Sequence, residues 1–237
     1  MIELDAAEVT AWAPSPGGGP EHVVRLLGPV TLRLPERRVA VVGANGSGKS
    51  TLARLLNALV LPSAGAVRVD GLDTARDAVA VRRRVGFVFT DPDAQLLMPT
   101  PVEDVLLSLR RTPAAGRRDV ALRWLGRFGL AGLADTPVHV LSGGQRQLLA
   151  LAAVLATEPA VLVADEPTTL LDLRWRTVVD DVLAGLDQQV VVVTHDLDAA
   201  ARADRVLVVD AGQVVHDGPP EPALTAYRDL MLHRVTP

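Results

Sequence analysis

At 237 residues with 49% hydrophobic content, the chain is long enough to bury a core as one domain, or as one domain with a smaller lobe. A formal net charge of -4, from 24 basic and 28 acidic residues, and 3% aromatic content provide neither a basic surface nor many stacking platforms, so nucleic acid is not an expected partner. The absence of cysteine removes disulfide frameworks and thiolate metal sites.

Glu3, Asp5 and Glu8 stand where a secretory signal would be basic and then apolar, so export is not expected. Residues 2–10 and 22–34 are β-rich and flank a loop, 14–20, with three consecutive glycines, which predicts a small antiparallel lobe. Val39 to Val42 is a short unbroken apolar run of the kind buried in a parallel sheet, and Thr51 to Leu61 reads as a helix. Similar runs recur at Val85 to Phe89, Val161 to Ala164, Val190 to Val193 and Val206 to Val209, most followed by helix-like segments. The alternation predicts an α/β fold with a mainly parallel sheet. Between Thr90 and Thr157 the pattern changes, because Val102 to Arg111, Arg117 to Phe128 and Gln145 to Ala156 all read as helices. Glu221 to Arg234 reads as a packed terminal helix. The longest apolar runs, such as Leu148 to Ala156, fall well short of the roughly 18–20 residues that span a bilayer, so a membrane role is expected only through a partner. These boundaries give a single unit over 1–237: an antiparallel lobe (about 1–35), a core (36–89 and 158–220), a helical subdomain (90–157) and a C-terminal helix (221–235).

Between the first core run and its helix lies Gly43-Ala44-Asn45-Gly46-Ser47-Gly48-Lys49-Ser50-Thr51. A strand, a glycine-rich turn and a helix in that order direct backbone N–H groups and a helix N-terminus at one point, which suits bound phosphate. Gly43, Gly46 and Gly48 permit the close approach, Lys49 adds a point charge for the outer phosphates, and the Ser50 hydroxyl suits magnesium. ATP with Mg²⁺ is the expected ligand, although the loop alone does not separate kinases, GTPases, helicases and transporters. Val161 to Ala164 runs into Asp165 and Glu166, at a strand end where ligand crevices form. Asp165 is assigned to magnesium and Glu166 to activation of the attacking water; an acid pair that satisfies a helix N-terminus is the alternative. His195 follows Val190 to Val193 and Thr194 and so also lies at a strand end, where a structural histidine and a catalytic one are both possible.

Leu141, Ser142, Gly143, Gly144 and Gln145 precede a strong helix, as a second phosphate cradle or as an ordinary cap with Ser142 at the N-cap position. The phosphate loop, this pentapeptide, the Asp-Glu strand end about 20 residues later and the strand-end histidine together resemble the ATP-binding-cassette ATPases over nearly the whole chain. The resemblance implies a RecA-like phosphate-loop core with a helical signature subdomain and two ATP molecules held between two subunits. Ser142 to Gln145 of one subunit would close over Lys49, Ser50 and Glu166 of the other, in a homodimer or a paired heterodimer. The family's D-loop falls on Leu171 and Asp172, with Thr169 and Leu170 where Ser and Ala are usual. Its aromatic platform for adenine falls on Trp12, which reads equally as a core residue. Thr90 stands where the family's Q-loop glutamine contacts magnesium, a contact that a shorter hydroxyl makes only through water or a shifted loop.

Val85 to Met98, with its Thr-Asp-Pro-Asp, and the following Pro99 and Thr100 are similar to the energy-coupling-factor importers, most of all their biotin-uptake ATPases, with cobalt and nickel relatives close. This implies a peripheral ATPase at the cytoplasmic face of the cell membrane. Its partners would be a transmembrane coupling protein and a substrate-binding membrane protein. A soluble cassette ATPase with a mechanical or scaffold role is the alternative, and a phosphate-loop nucleotide kinase leaves Leu141 to Gln145 unexplained.

Overall fold

The computed structural model describes residues 1–15 and 19–234. Residues 16–18, which hold part of the loop expected over 14–20, and residue 235, included in the expected terminal helix, lie outside the described residues. Strands β1 (Ile2–Ala13) and β2 (His22–Leu34) pair antiparallel, then β3 (Arg38–Val42) leads into α1 (Lys49–Leu56). Next come β4 (Ala64–Val69), β5 (Leu72–Asp73), α2 (Ala78–Arg84) and β6 (Val85–Val88). The helices α3 (Pro101–Ser108), α4 (Arg117–Arg127) and α5 (Gly143–Leu155) follow with no strand between them. The chain closes with β7 (Val161–Asp165), α6 (Leu173–Gly185), β8 (Gln189–Val193), α7 (Leu197–Ala200), β9 (Arg205–Asp210), β10 (Gln213–Gly218) and α8 (Pro220–Arg234).

One sheet has the order β10-β9-β3-β8-β7-β6, parallel except for β10, and the other the antiparallel order β2-β1-β4-β5. Two parts of the expected organisation change. Residues 64–73, read with the core, pair instead with β1, whose long strand has an edge free on either side of it: Ile2 faces Val69 as well as Leu34. The helix read over 51–61 stops at Leu56, because Ala58 takes a left-handed φ of 56° and the amides of Leu59 and Val60 both turn back to the Arg54 carbonyl.

The unbroken apolar runs follow from a sheet covered on both faces. Alternate residues point opposite ways along a strand. Val39, Val41, Val161, Val163, Val191, Val193, Leu207 and Val209 therefore face the core shared with α1 and the antiparallel sheet. Leu162, Ala164 and Val190 face the core beneath α3, α4, α5 and α6, while Ala40, Val42, Val206 and Val208 face that of α7 and α8.

Arg205 clasps the layers at the sheet margin. It forms ion pairs with Asp217 of β10 at 2.5 Å and with Glu36 at 3.0 Å, and donates to the Arg33 carbonyl of β2 at 2.9 Å. These partners hold its guanidinium above its ordinary pKa, the hydrogen bond to Asp217 foremost. Arg205→Ala should lose about 2 kcal/mol of stability, because charge-assisted bonds are removed and two carboxylates lose their cation. Urea denaturation of purified wild type and variant reads this directly.

Candidate active site

The phosphate loop is held so closely that two of its glycines admit no side chain. A Cβ on Gly43 would lie 2.1 Å from the Val209 carbonyl oxygen, and one on Gly48, at φ 107°, would lie 2.8 Å from that of Leu26. The Gly212 amide donates to the Ser47 carbonyl at 2.8 Å and the Gly28 amide to that of Gly212 at 2.7 Å, which fastens the loop to the antiparallel sheet. Gly48 caps α1 with no side-chain hydrogen bond and there is no acid in the first turn, so the helix's leading amides remain donors for an anion. The buried Lys49 ammonium donates to the Gly43 and Ala44 carbonyls, both at 2.9 Å; burial pushes its pKa down against the pull of Glu166 and Asp165. Gly46, Ser47, Gly48, Lys49, Ser50 and Thr51 form the floor of a cleft of about 480 Å³. Asn45 is exposed on the loop's outer turn.

The acids meet this loop from β7. Asp165 is 3% exposed, and Ser50 Oγ donates to its Oδ1 at 2.9 Å. Burial raises the Asp165 pKa, opposed by the Ser50 hydrogen bond and by Arg54, whose Nη2 is 3.9 Å from Oδ2. Glu166 has a left-handed φ of 53°, a conformation that costs a non-glycine residue about 1–3 kcal/mol. Its amide continues the ladder by donating to the Val193 carbonyl at 2.9 Å. Glu166 Oε2 lies 2.6 Å from His195 Nδ1 and accepts from Thr169 Oγ1 at 2.9 Å.

Thr90, read with the metal set, donates its hydroxyl hydrogen to the main-chain carbonyl of Asp165 at 2.8 Å. Its observed contact therefore ties the segment after β6 to the acidic strand end. Trp12 is 70% exposed on β1, which removes the core reading; its strand partner Val23 precedes Val24, Arg25 and Leu26 of the phosphate cleft.

Ser142 to Gln145 form a capping box at α5. The Ser142 amide donates to Gln145 Oε1 at 2.8 Å and the Gln145 amide to Ser142 Oγ at 3.2 Å. A Cβ on Gly144 would sit 2.0 Å from Cδ2 of Trp175. Asp172 in turn caps α6 by accepting from the Trp175 amide at 3.0 Å. Among the described residues no hydrogen bond or ion pair joins Ser142 to Gln145 with the phosphate loop, Asp165, Glu166 or His195. Trp175 was not singled out from sequence, although the Asp-x-x-Trp spacing of an N-cap was an available signal, and Thr169 was noted only as a departure from the family's D-loop, without its bond to Glu166.

A family model described as ABC transporter matches residues 27–169. A Deinococcus radiodurans protein named for the ABC transporter ATP-binding class, with no substrate in its name, is 51% identical over 208 residues, spanning 87% of this chain and 92% of that one. The biotin transport ATP-binding protein BioM of Rhizobium etli is 42% identical over 207 residues, 86% of this chain and 92% of its own length. The energy-coupling factor transporter ATP-binding protein EcfA1 of Bacillus licheniformis is 39% identical over 201 residues, 81% of this chain and 71% of that one. The solved dimeric structure of the ATP-binding cassette MJ0796, in a post-hydrolysis state bound to ADP and Pi, superposes with a TM-score of 0.81 at 30% identity. It covers 93% of this chain and 99% of that one.

Gly144→Ala should cost about 2 kcal/mol by forcing the Trp175 ring out of place. Replacing Trp175 by Leu in the same chain should return most of that loss, a non-additivity that thermal or urea unfolding of the two singles and the double would measure.

Proposed function

The chain belongs to the ABC transporter family as an ATP-binding and ATP-hydrolysing subunit, and from that premise we propose that it powers an energy-coupling-factor importer as one of two paired subunits. The observation that carries this reading is the division of the chemistry. One region holds the phosphate loop, Asp165, Glu166 and His195, and a second helix N-terminus at Ser142 to Gln145 makes no bond to it. Two such chains arranged head to tail would complete two sites. The names of the BioM and EcfA1 relatives, together with the Thr-Asp-Pro-Asp run at 90–93, favour a vitamin or transition-metal importer, with biotin ahead of cobalt or nickel.

In this reading Lys49, the loop amides and the start of α1 hold the ATP phosphates, and Trp12 offers its exposed ring to adenine. The donor set fits Mg²⁺. Ser50 and the buried Asp165 carboxylate are adjacent hard oxygens, and a cation would relieve the charge that burial makes costly. When bound there, Mg²⁺ supplies charge neutralisation to the transferring phosphoryl group.

Glu166 acts as the base. Against an ionised carboxylate, His195 Nδ1 and the Thr169 hydroxyl are both donors, and they fix Oε2 while Oε1 stays available to the attacking water. As the water oxygen bonds to the γ-phosphorus, its proton passes to Glu166 and the bond to the β–γ bridging oxygen breaks, giving ADP and phosphate.

No helix among the described residues is long and apolar enough to cross a membrane. By the names of the importer relatives, we assign attachment at the cytoplasmic face to membrane partners. A groove of about 730 Å³ between α2, α3, α4 and the end of α5 offers them a seat, with Arg83 and Trp124 in its wall. Arg84 faces away from this role, paired with Asp70 at 2.8 Å.

Glu166→Gln should bind ATP, lose hydrolysis by at least about 100-fold and collect as a dimer, whereas Lys49→Ala should lose nucleotide binding. Turnover at the wild-type rate in Glu166→Gln would remove the base assignment. Co-purification of the tagged chain with its membrane partners, followed by uptake assays with labelled biotin, cobalt and nickel, tests the importer. Recovery of the chain with no membrane protein would favour a soluble ATPase instead.

A further inference from the structure

Residues 90–98 are tied to four parts of the fold. Thr90 is bound to the end of β7 through the Asp165 carbonyl. Gln95 accepts from the Phe89 amide at 3.2 Å and donates to the Phe87 carbonyl at 3.3 Å, which fixes the segment to the end of β6. Asp104 of α3, 4% exposed, accepts from the amides of Leu97 at 3.0 Å and Met98 at 3.2 Å.

The fourth tie reaches α5. Pro92–Ala94 forms a single 3-10 turn capped by Asp91, which accepts from the Asp93 amide at 2.9 Å, and this sets the Asp93 side chain beside α5. Arg146 Nε lies 2.9 Å from Asp93 Oδ1, an ion pair without hydrogen-bond alignment, and Arg146 Nη1 donates to the Leu141 carbonyl at 2.7 Å. One guanidinium thus grips both the 3-10 turn and the residue immediately before Ser142. Its planar fork holds its donors in fixed, separated directions, whereas an ammonium is a single point charge that cannot span the two partners in the same geometry.

We propose that Asp93 and Arg146 are positioning residues that make the 90–95 segment and the Ser142 turn move as one body. A displacement at Asp165 and Thr90, on one nucleotide, is then passed to the turn that closes over the other nucleotide. The proposal rests on the paired-subunit reading above. Both residues lie outside the phosphate-binding groups, so their loss acts on closure and leaves nucleotide capture by a single subunit intact. Asp93 is 60% exposed, which limits the pair to a modest effect, about five-fold in an equilibrium.

The test uses the full chain carrying Glu166→Gln, with sedimentation velocity across an ATP titration. Adding Asp93→Ala should raise the ATP concentration for half-maximal dimerisation about five-fold. Adding Asp93→Glu should leave it within two-fold of the parent, and Arg146→Lys should resemble Asp93→Ala. Binding of a fluorescent ATP analogue to the dilute single subunit should be unchanged in all three. Dimerisation of Asp93→Ala at the parent's ATP concentration, or equal failure of Asp93→Glu, would overturn the proposal. Absence of ATP-dependent dimerisation in the Glu166→Gln parent would instead overturn the paired-subunit reading.

Discussion

Parallel strands in one sheet all end on the same edge, and the chemistry of this protein depends on that constraint. Register makes the ends level: Val41 faces Val193, and Val193 faces Asp165. The phosphate loop leaves β3, the acid pair ends β7, His195 follows β8, and Thr90 follows β6. Residues distant in sequence therefore meet without a long loop to order, and the entropy of assembling the site is absorbed by the fold itself. The β9 end adds Gly212, whose two hydrogen bonds carry the antiparallel sheet onto the loop.

The same edge concentrates groups that are costly in isolation. Burial lowers the Lys49 pKa and raises that of Asp165, so each is driven toward its neutral form although each opposes the other's shift. Glu166 adds a left-handed backbone, and Gly43 approaches a carbonyl too closely for any side chain. In the proposed assignment a polyphosphate with a divalent cation would bring negative charge to the lysine and positive charge to the aspartate, and so would stabilise both ionised forms. Strain and desolvation coincide at the proposed site, as expected when a site is organised for a ligand rather than for stability.

Much of this was legible in the sequence because it is local. A glycine-rich stretch between an apolar run and a helix, or two acids at the end of such a run, can be read within ten residues. Contacts across the chain could not be read in that way. The Ala-Gly-Ala-Val-Arg-Val of β4 has no long apolar run, and its place beside β1 depends on the second edge of that strand. Trp175 became visible only once Gly144 was found against its ring, and Arg146 only once the Asp93 turn lay beside α5. Thr90 was legible as a departure from the family pattern, whereas the carbonyl that receives its hydroxyl lies 75 residues away.

The cap reading and the phosphate-cradle reading of Ser142 are compatible on chemical grounds. As N-cap, Ser142 Oγ accepts from the Gln145 amide, and this uses a lone pair and leaves the hydroxyl hydrogen to donate elsewhere. Gln145 uses its carbonyl oxygen on the Ser142 amide, so its NH₂ group is likewise free to donate. The Gly143 and Gly144 amides belong to the first helical turn and carry no side chain that would bar an approaching anion, and no acid lies in that turn. The capping box therefore holds the turn rigid with acceptor groups and turns its remaining donors outward. A rigid set of outward donors at a helix N-terminus suits the phosphates of a nucleotide held by another chain. Trp175, packed against Gly144 and held by the Asp172 cap, fixes the direction in which that set points.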